Sequence, residues 1–145
     1  IGTGVHEGRR VVMVLNGMAS DKERADESVR LLDWGLKTFK NVSLFKAGEL
    51  IEDVPVVMGQ MASVPLVLEH DLTVTVPLSV RNDLKVEAAY DAPLIAPVAK
   101  GQKIGVLRVD VPRIGKFEYP LLASGDIAPL GKVAGVIEKI KLRLK

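Results

Sequence analysis

The feature that most constrains this chain is a change of texture at Asn41. Before it lies one segment with a helical period. After it, for about ninety residues, no helical period recurs until Gly131. A chain of this kind folds as a short α+β piece followed by an all-β module.

The helical segment has a defined start. Ser20-Asp21-Lys22-Glu23 fits a capping box, and its acids complement the positive end of the helix dipole. Ala25, Val29, Leu32, Leu36 and Phe39 then recur at helical spacing, with Leu31 and Trp34 widening the stripe. This predicts a helix packed on a sheet. Upstream, Gly2-Thr3-Gly4-Val5 reads as a short strand and His6-Glu7-Gly8-Arg9 as a turn. Arg10 to Leu15 is a nearly continuous apolar run, which predicts a central strand covered on both faces. Gly2-Thr3-Gly4 is not a phosphate loop, because position 7 is Glu7 where the fingerprint needs glycine.

Beyond Asn41 the apolar residues fall into short alternating segments: Val42 to Phe45, Leu50 to Met58, Pro65 to Glu69, Leu72 to Val76, Leu84 to Tyr90, Lys103 to Val111 and Lys116 to Leu122. Turn residues punctuate them at Ala47-Gly48-Glu49, Arg81-Asn82-Asp83, Lys100-Gly101-Gln102 and Ile114-Gly115-Lys116. Seven of the eight prolines lie between Val54 and Pro120, which forbids long uninterrupted ladders. About eight short strands in a sandwich or barrel-like pair of sheets are expected over residues 41–130.

Charge narrows the function classes. The net charge is +2, yet Lys132, Lys139, Lys141, Arg143 and Lys145 stand against one acid, Glu138, after Gly131. The first 130 residues hold 15 basic and 17 acidic residues, so the body is slightly acidic and the end is basic. On a helical wheel Val133, Val136, Ile137, Ile140 and Leu144 fall within about 100° of arc, flanked by Lys132, Lys139 and Arg143. That pattern suits either a helix packed on the β-module or an interfacial helix on an anionic membrane surface. With no Cys and only two His, metal, iron–sulfur and thiol chemistry are not expected, and no cofactor is implied. Six aromatic residues are too few for a base-stacking nucleic-acid binder. The run from Ala96 to Leu107 looks superficially like half of a biotinyl or lipoyl carrier, but it lacks the modified-lysine triplet.

Two stretches carry a family resemblance. Arg24-Ala25-Asp26-Glu27-Ser28 followed by Leu31-Leu32-Asp33-Trp34-Gly35 to Phe39 has the form R-x-x-E-S, then L-L-x-W-G-x-x-x-F. It resembles the last helix of the transpeptidase-like domain in low-molecular-mass penicillin-binding proteins, the serine-type D-alanyl-D-alanine carboxypeptidases of the penicillin-binding protein 5 type. The strand from Arg10 to Gly17, the Val42 to Gly48 stretch and the Ala92 to Leu107 stretch are similar to neighbouring parts of that family.

The resemblance implies a specific architecture. Residues 1–40 would be two strands and the last helix of a transpeptidase/β-lactamase-like catalytic domain. Residues 41–130 would be a small β-sandwich-like domain, and residues 131–145 an amphipathic helix leading to a membrane anchor. It also implies a periplasmic protein, peripheral to the inner membrane, acting on peptidoglycan pentapeptide and acylated by β-lactams. In the family an Arg at the head of R-x-x-E-S helps hold the substrate's terminal carboxylate, a role that falls here to Arg24. Read without the resemblance, Arg24 is a solvated helix-start residue paired with Glu27 or Ser28.

The catalytic motifs themselves are missing. Such enzymes need S-x-x-K, S-x-N and K-T-G. Ser43-Leu44-Phe45-Lys46 has the first spacing but lies in a strand-like segment, Ser20-Asp21-Lys22 is not S-x-N, and Lys37-Thr38-Phe39 is not K-T-G. The expected chain is therefore the part of such an enzyme that follows K-T-G. The competing expectation is a non-catalytic β-rich module that binds the cell wall or a partner.

Overall fold

The computed structural model describes residues 1–131 of the chain. Contacts divide it into two compact units, one made of Ile1–Val42 with Thr73–Asp83, the other of Ser43–Leu72 with the residues from Leu84 onward.

In the first unit, β1 (Gly2–His6) and β2 (Arg9–Met13) form an antiparallel hairpin, and α1 (Asp21–Thr38) lies on it. The hairpin loop is Glu7-Gly8, both with positive φ (47° and 75°), the backbone that a two-residue turn between twisted strands requires. Close packing runs through glycine. A Cβ on Gly4 would lie 2.9 Å from Leu36 Cδ1, and one on Gly35 would lie 3.3 Å from Val11 Cγ1. The glycines of the Gly2-Thr3-Gly4 run thus make room for the helix face of Leu32 and Leu36.

Ser20 caps α1 as expected, its Oγ accepting the Glu23 N–H at 3.1 Å, while Glu23 Oε2 accepts the Ala19 N–H at 2.7 Å. Two expectations are corrected. β2 is not covered on both faces: Met13 is buried and Val11 half-buried on the helix side, but Val12 and Val14 are 63% and 69% exposed. The helix stripe is only partly covered too, for Val29 is 70% and Trp34 53% exposed. The helix lies on one face of a two-stranded hairpin, so Val12 and Val14, which alternate with Val11 and Met13, point away from it. Trp34 instead meets Phe39 edge-to-face, with ring centroids 5.0 Å apart.

From Phe39 to Ala123 the chain is mostly β, as the prolines and alternation predict. β3 (Phe39–Phe45) pairs with β6 (Leu72–Pro77), whose residues alternate strictly between buried and exposed before a 3-10 helix at Leu78–Asp83. The second unit holds a six-stranded sheet in the order β7 (Lys85–Tyr90), β9 (Lys103–Val111), β10 (Gly115–Ala123), β5 (Ser63–Val67), β4 (Glu52–Val57), β8 (Leu94–Ile95). β8, two residues long, gives no periodic signal in the sequence. Its core centres on Val54, Leu66, Leu107, Val109 and Leu121, each at most 1% exposed.

The prolines mark where this sheet narrows. β5 meets β10 through only Leu122↔Val67 and Ala123↔Leu66, so the missing N–H of Pro65 removes no bond from that contact. β4 pairs with β8 through Val56 and Val57, just past Pro55. The sheet therefore curls at two narrow joints instead of running as one long ladder. Among the described residues no helix is long and apolar enough to cross a membrane.

Candidate functional site

Arg24 stands in the first turn of α1, its N–H bonded to the Ser20 carbonyl at 3.0 Å. Its guanidinium is 60% exposed and ion-paired with Asp21, three residues earlier on the helix. The pairing with Glu27 or Ser28 expected from sequence does not occur. Glu27 is instead bound by Arg30, which donates from Nε at 2.9 Å and holds the carboxyl below its usual range. An exposed guanidinium with a single exposed, exchangeable carboxylate partner can take another planar carboxylate in its place. The structure brings no other predicted site residue to Arg24. Lys132, Val133, Val136, Ile137, Lys139, Ile140, Arg143 and Leu144 lie outside the described residues.

The S-x-x-K spacing at Ser43 is not a nucleophile site. In extended chain, positions three apart point to opposite faces, whereas one helical turn puts them on the same face. Lys46 Nζ is bound to Asp71 at 3.1 Å, and the Asp71 carboxylate also accepts the Ala47 N–H at 2.8 Å. These contacts, the backbone one foremost, hold the Asp71 carboxyl below its usual value. Asp71 thereby ties the Lys46–Glu49 turn to the start of β6. No group of three or more His, Cys, Asp or Glu residues suited to a metal occurs among the described residues.

Two further features escape sequence reasoning. Arg9 donates through its guanidinium to the carbonyls of Gly35 and of Leu36, the latter at 2.8 Å. These belong to the last turn of α1, where carbonyls lack helical partners and the dipole favours a cation. A cleft of ≈ 420 Å³ opens beside this cap, among His6, Arg9, Lys37, Phe39 and Lys40. Nothing near Arg9 in the sequence marks its partner, 26 residues away.

The second is an open groove of ≈ 770 Å³ on the β7–β9 pair, bordered by Glu87, Tyr90, Asp91, Lys103 and Arg108. The register lines up charges on the outer face: Lys85, Asp110 and Lys116 in one row, Glu87, Arg108 and Glu118 in the next. Arg108 donates to Glu118 at 2.9 Å and its pKa is raised, chiefly by that bond, with Glu87 adding to it.

The comparisons with known proteins bear directly on the β-rich part. The sequence model for "Penicillin-binding protein 5, C-terminal domain" matches residues 39–128. The chain belongs to this family. Among curated relatives it is 30% identical over 135 residues to the D-alanyl-D-alanine carboxypeptidase DacA of Escherichia coli (strain K12), covering 92% of this chain and 33% of that protein. To DacA of Haemophilus influenzae it is 34% identical over 134 residues, covering 90% of this chain and 33% of the relative. The chain thus spans about a third of the length of the curated relatives it matches.

Solved structures agree on the fold of this penicillin-binding protein 5-type chain. Penicillin-binding protein 5 from Haemophilus influenzae matches with a TM-score of 0.64 at 30% identity, over 74% of this chain and 31% of that one. The D-alanyl-D-alanine carboxypeptidase DacD from Francisella tularensis matches with a TM-score of 0.68 at 22% identity, over 88% and 32%, a likeness of fold alone. The matched stretch, residues 39–128, begins where α1 ends and holds the strands β3 to β10.

Proposed function

We propose that this chain is the C-terminal part of a serine-type D-alanyl-D-alanine carboxypeptidase that removes the terminal D-Ala from peptidoglycan pentapeptides. The observation that carries the reading is the family match over residues 39–128, directly behind a helix bearing R-x-x-E-S and L-L-x-W-G-x-x-x-F. Relatives matching over 90% or more of this chain are named D-alanyl-D-alanine carboxypeptidases, which supports the reading.

In this reading residues 1–40 close the catalytic domain. The exposed valines of β2 are then surface that the rest of that domain would cover. A serine outside this chain attacks the carbonyl between the two D-alanines and forms an acyl-enzyme, releasing D-Ala. Backbone N–H groups stabilise the oxyanion, and water completes hydrolysis. β-Lactams acylate the same serine. This chain, lacking S-x-x-K on a helix and K-T-G, is inactive alone. Arg24 exchanges Asp21 for the substrate's terminal carboxylate. Residues 41–130 act as a pedestal, and residues 131–145 lead to an anchor on the periplasmic face of the inner membrane.

The test is release of D-alanine from a D-Ala-D-Ala-ended pentapeptide by the intact protein. Its reading frame should carry K-T-G within roughly ten residues of Ile1, with S-x-x-K and S-x-N earlier. Loss of one charge-assisted bidentate pair, worth about 1.5–3 kcal/mol, predicts that Arg24→Ala lowers kcat/KM by roughly ten- to a hundredfold with the fold intact. Unchanged kinetics would remove Arg24 from the site, and absence of the three motifs upstream would overturn the enzyme reading in favour of a non-catalytic wall-binding module.

A further inference from the structure

β7 is the end strand of the six-stranded sheet: it pairs with β9 on one side, and among the described residues nothing pairs with the other. An open edge of six residues is a template for another strand, and proteins usually spoil such edges with charge or proline. β7 (Lys85-Val86-Glu87-Ala88-Ala89-Tyr90) has no proline, and its two charges are of opposite sign, two residues apart on one face. Lys85 and Glu87 are both exposed, and neither forms an ion pair among the described residues.

We infer that β7 is the pairing edge for a second copy of this chain, joined antiparallel about a two-fold axis at Val86. In that register Lys85 of each copy faces Glu87 of the other, and Val86, 39% exposed, faces Val86. The rows already present then continue without a break in sign. Glu118, Arg108 and Glu87 of one copy lead to Lys85, Asp110 and Lys116 of the other, giving six strands of alternating charge.

The neighbouring registers that keep the faces matched are worse. Centring the axis on Lys85 sets lysine on lysine, and centring it on Glu87 sets glutamate on glutamate. About that axis the paired stretch is Lys85–Glu87 of each copy, because β7 begins at Lys85 and the 3-10 helix Leu78–Asp83 precedes it. Charge thus selects one self-pairing register here, where random edge charge would forbid pairing.

The absence of Cys makes the test clean. Directly opposed residues on paired strands have Cβ atoms about 4.5–5.5 Å apart, close enough for a disulfide after small adjustment. Val86→Cys in the 145-residue chain should therefore form a covalent dimer on mild oxidation. Ala88→Cys should not, because it faces Leu84 of the other copy. Equilibrium sedimentation should show a concentration-dependent dimer of the parent chain. Lys85→Glu and Glu87→Lys should each raise the dissociation constant by about tenfold or more, and an equimolar mixture of the two variants should restore dimers, since every facing pair is then Glu with Lys. Circular dichroism checks that each variant is folded. A parent that stays monomeric up to millimolar concentration, equal coupling of the two cysteine variants, or a mixture no more dimeric than its components would overturn the proposal.

Discussion

At the scale of single residues, the tightest constraint is Gly105. A Cβ there would lie 2.3 Å from the Ala89 carbonyl oxygen and 2.7 Å from Tyr90 Cβ, where β7 and β9 pair through Tyr90 and Gly105. Backbone cannot yield as a flexible side chain can, so Gly105→Ala must spread the two strands. Overpacking of this kind costs about 1–3 kcal/mol, read as a lower urea midpoint at unchanged slope. Gly125→Ala, with nothing within 4 Å of the added methyl, is the matched control. Asp71 makes a prediction in pH. Its carboxyl is lowered in the folded state, by the Ala47 N–H first and Lys46 next. The unfolded chain therefore binds its proton at higher pH than the folded one. The stability Asp71 adds is fully present above the ordinary carboxylate pKa and is lost as pH falls through the lowered folded value. Asp71→Asn should flatten that acid-side slope, and an NMR titration should find the Asp71 midpoint below that of the exposed carboxylates.

At the scale of elements, the hairpin and helix of the first unit hold each other in place. Apolar contact between them is modest, since β1 and β2 are short and α1 keeps Val29 and Trp34 largely in solvent. Arg9 compensates by satisfying two carbonyls at the end of the helix. Arg9→Ala should remove a charge-assisted cap worth about 1–2 kcal/mol, detected as fraying of the last turn by amide exchange before global unfolding. Arg9→Lys should recover much of it, because both bonds come from the single nitrogen Nη2, and an ammonium carries three N–H donors. The alternation of β6 and the cap of α1 are plain in the sequence, because each depends on neighbours along the chain. The pairing of Arg24 is not: Asp21, Glu27 and Ser28 are all within one turn, and Arg30 decides the matter by taking Glu27.

At the scale of the whole molecule, the slightly acidic body and basic end make opposite demands on an anionic surface. If residues 131–145 supply the attachment, the full chain should sediment with anionic vesicles and a chain ending at Leu130 should not. The binding should fall steeply as salt shortens the Debye length from about 10 Å at 0.1 M to about 3 Å at 1 M. Equal sedimentation of the two chains would place any attachment elsewhere.

The sequence by itself determined α1, the longer strands and the family to which the chain belongs, but neither the short β8 nor the 3-10 helix at Leu78–Asp83. Periodicity, capping and proline placement act over a few residues, and those are local facts. The end of the helical period is legible too, for α1 stops at Thr38 and strand follows from Phe39. Only the tertiary structure decided which faces are covered. The run at Arg10–Leu15 reads as doubly buried, yet Val12 and Val14 face solvent, because hydrophobicity shows what a strand could bury and not what is there to bury it. The same holds for Arg9 on the end of α1, for Asp71 beside Lys46, and for the charge rows that run from β10 to the open edge of β7. Each depends on register between segments far apart in the chain, and register is set only when the chain folds.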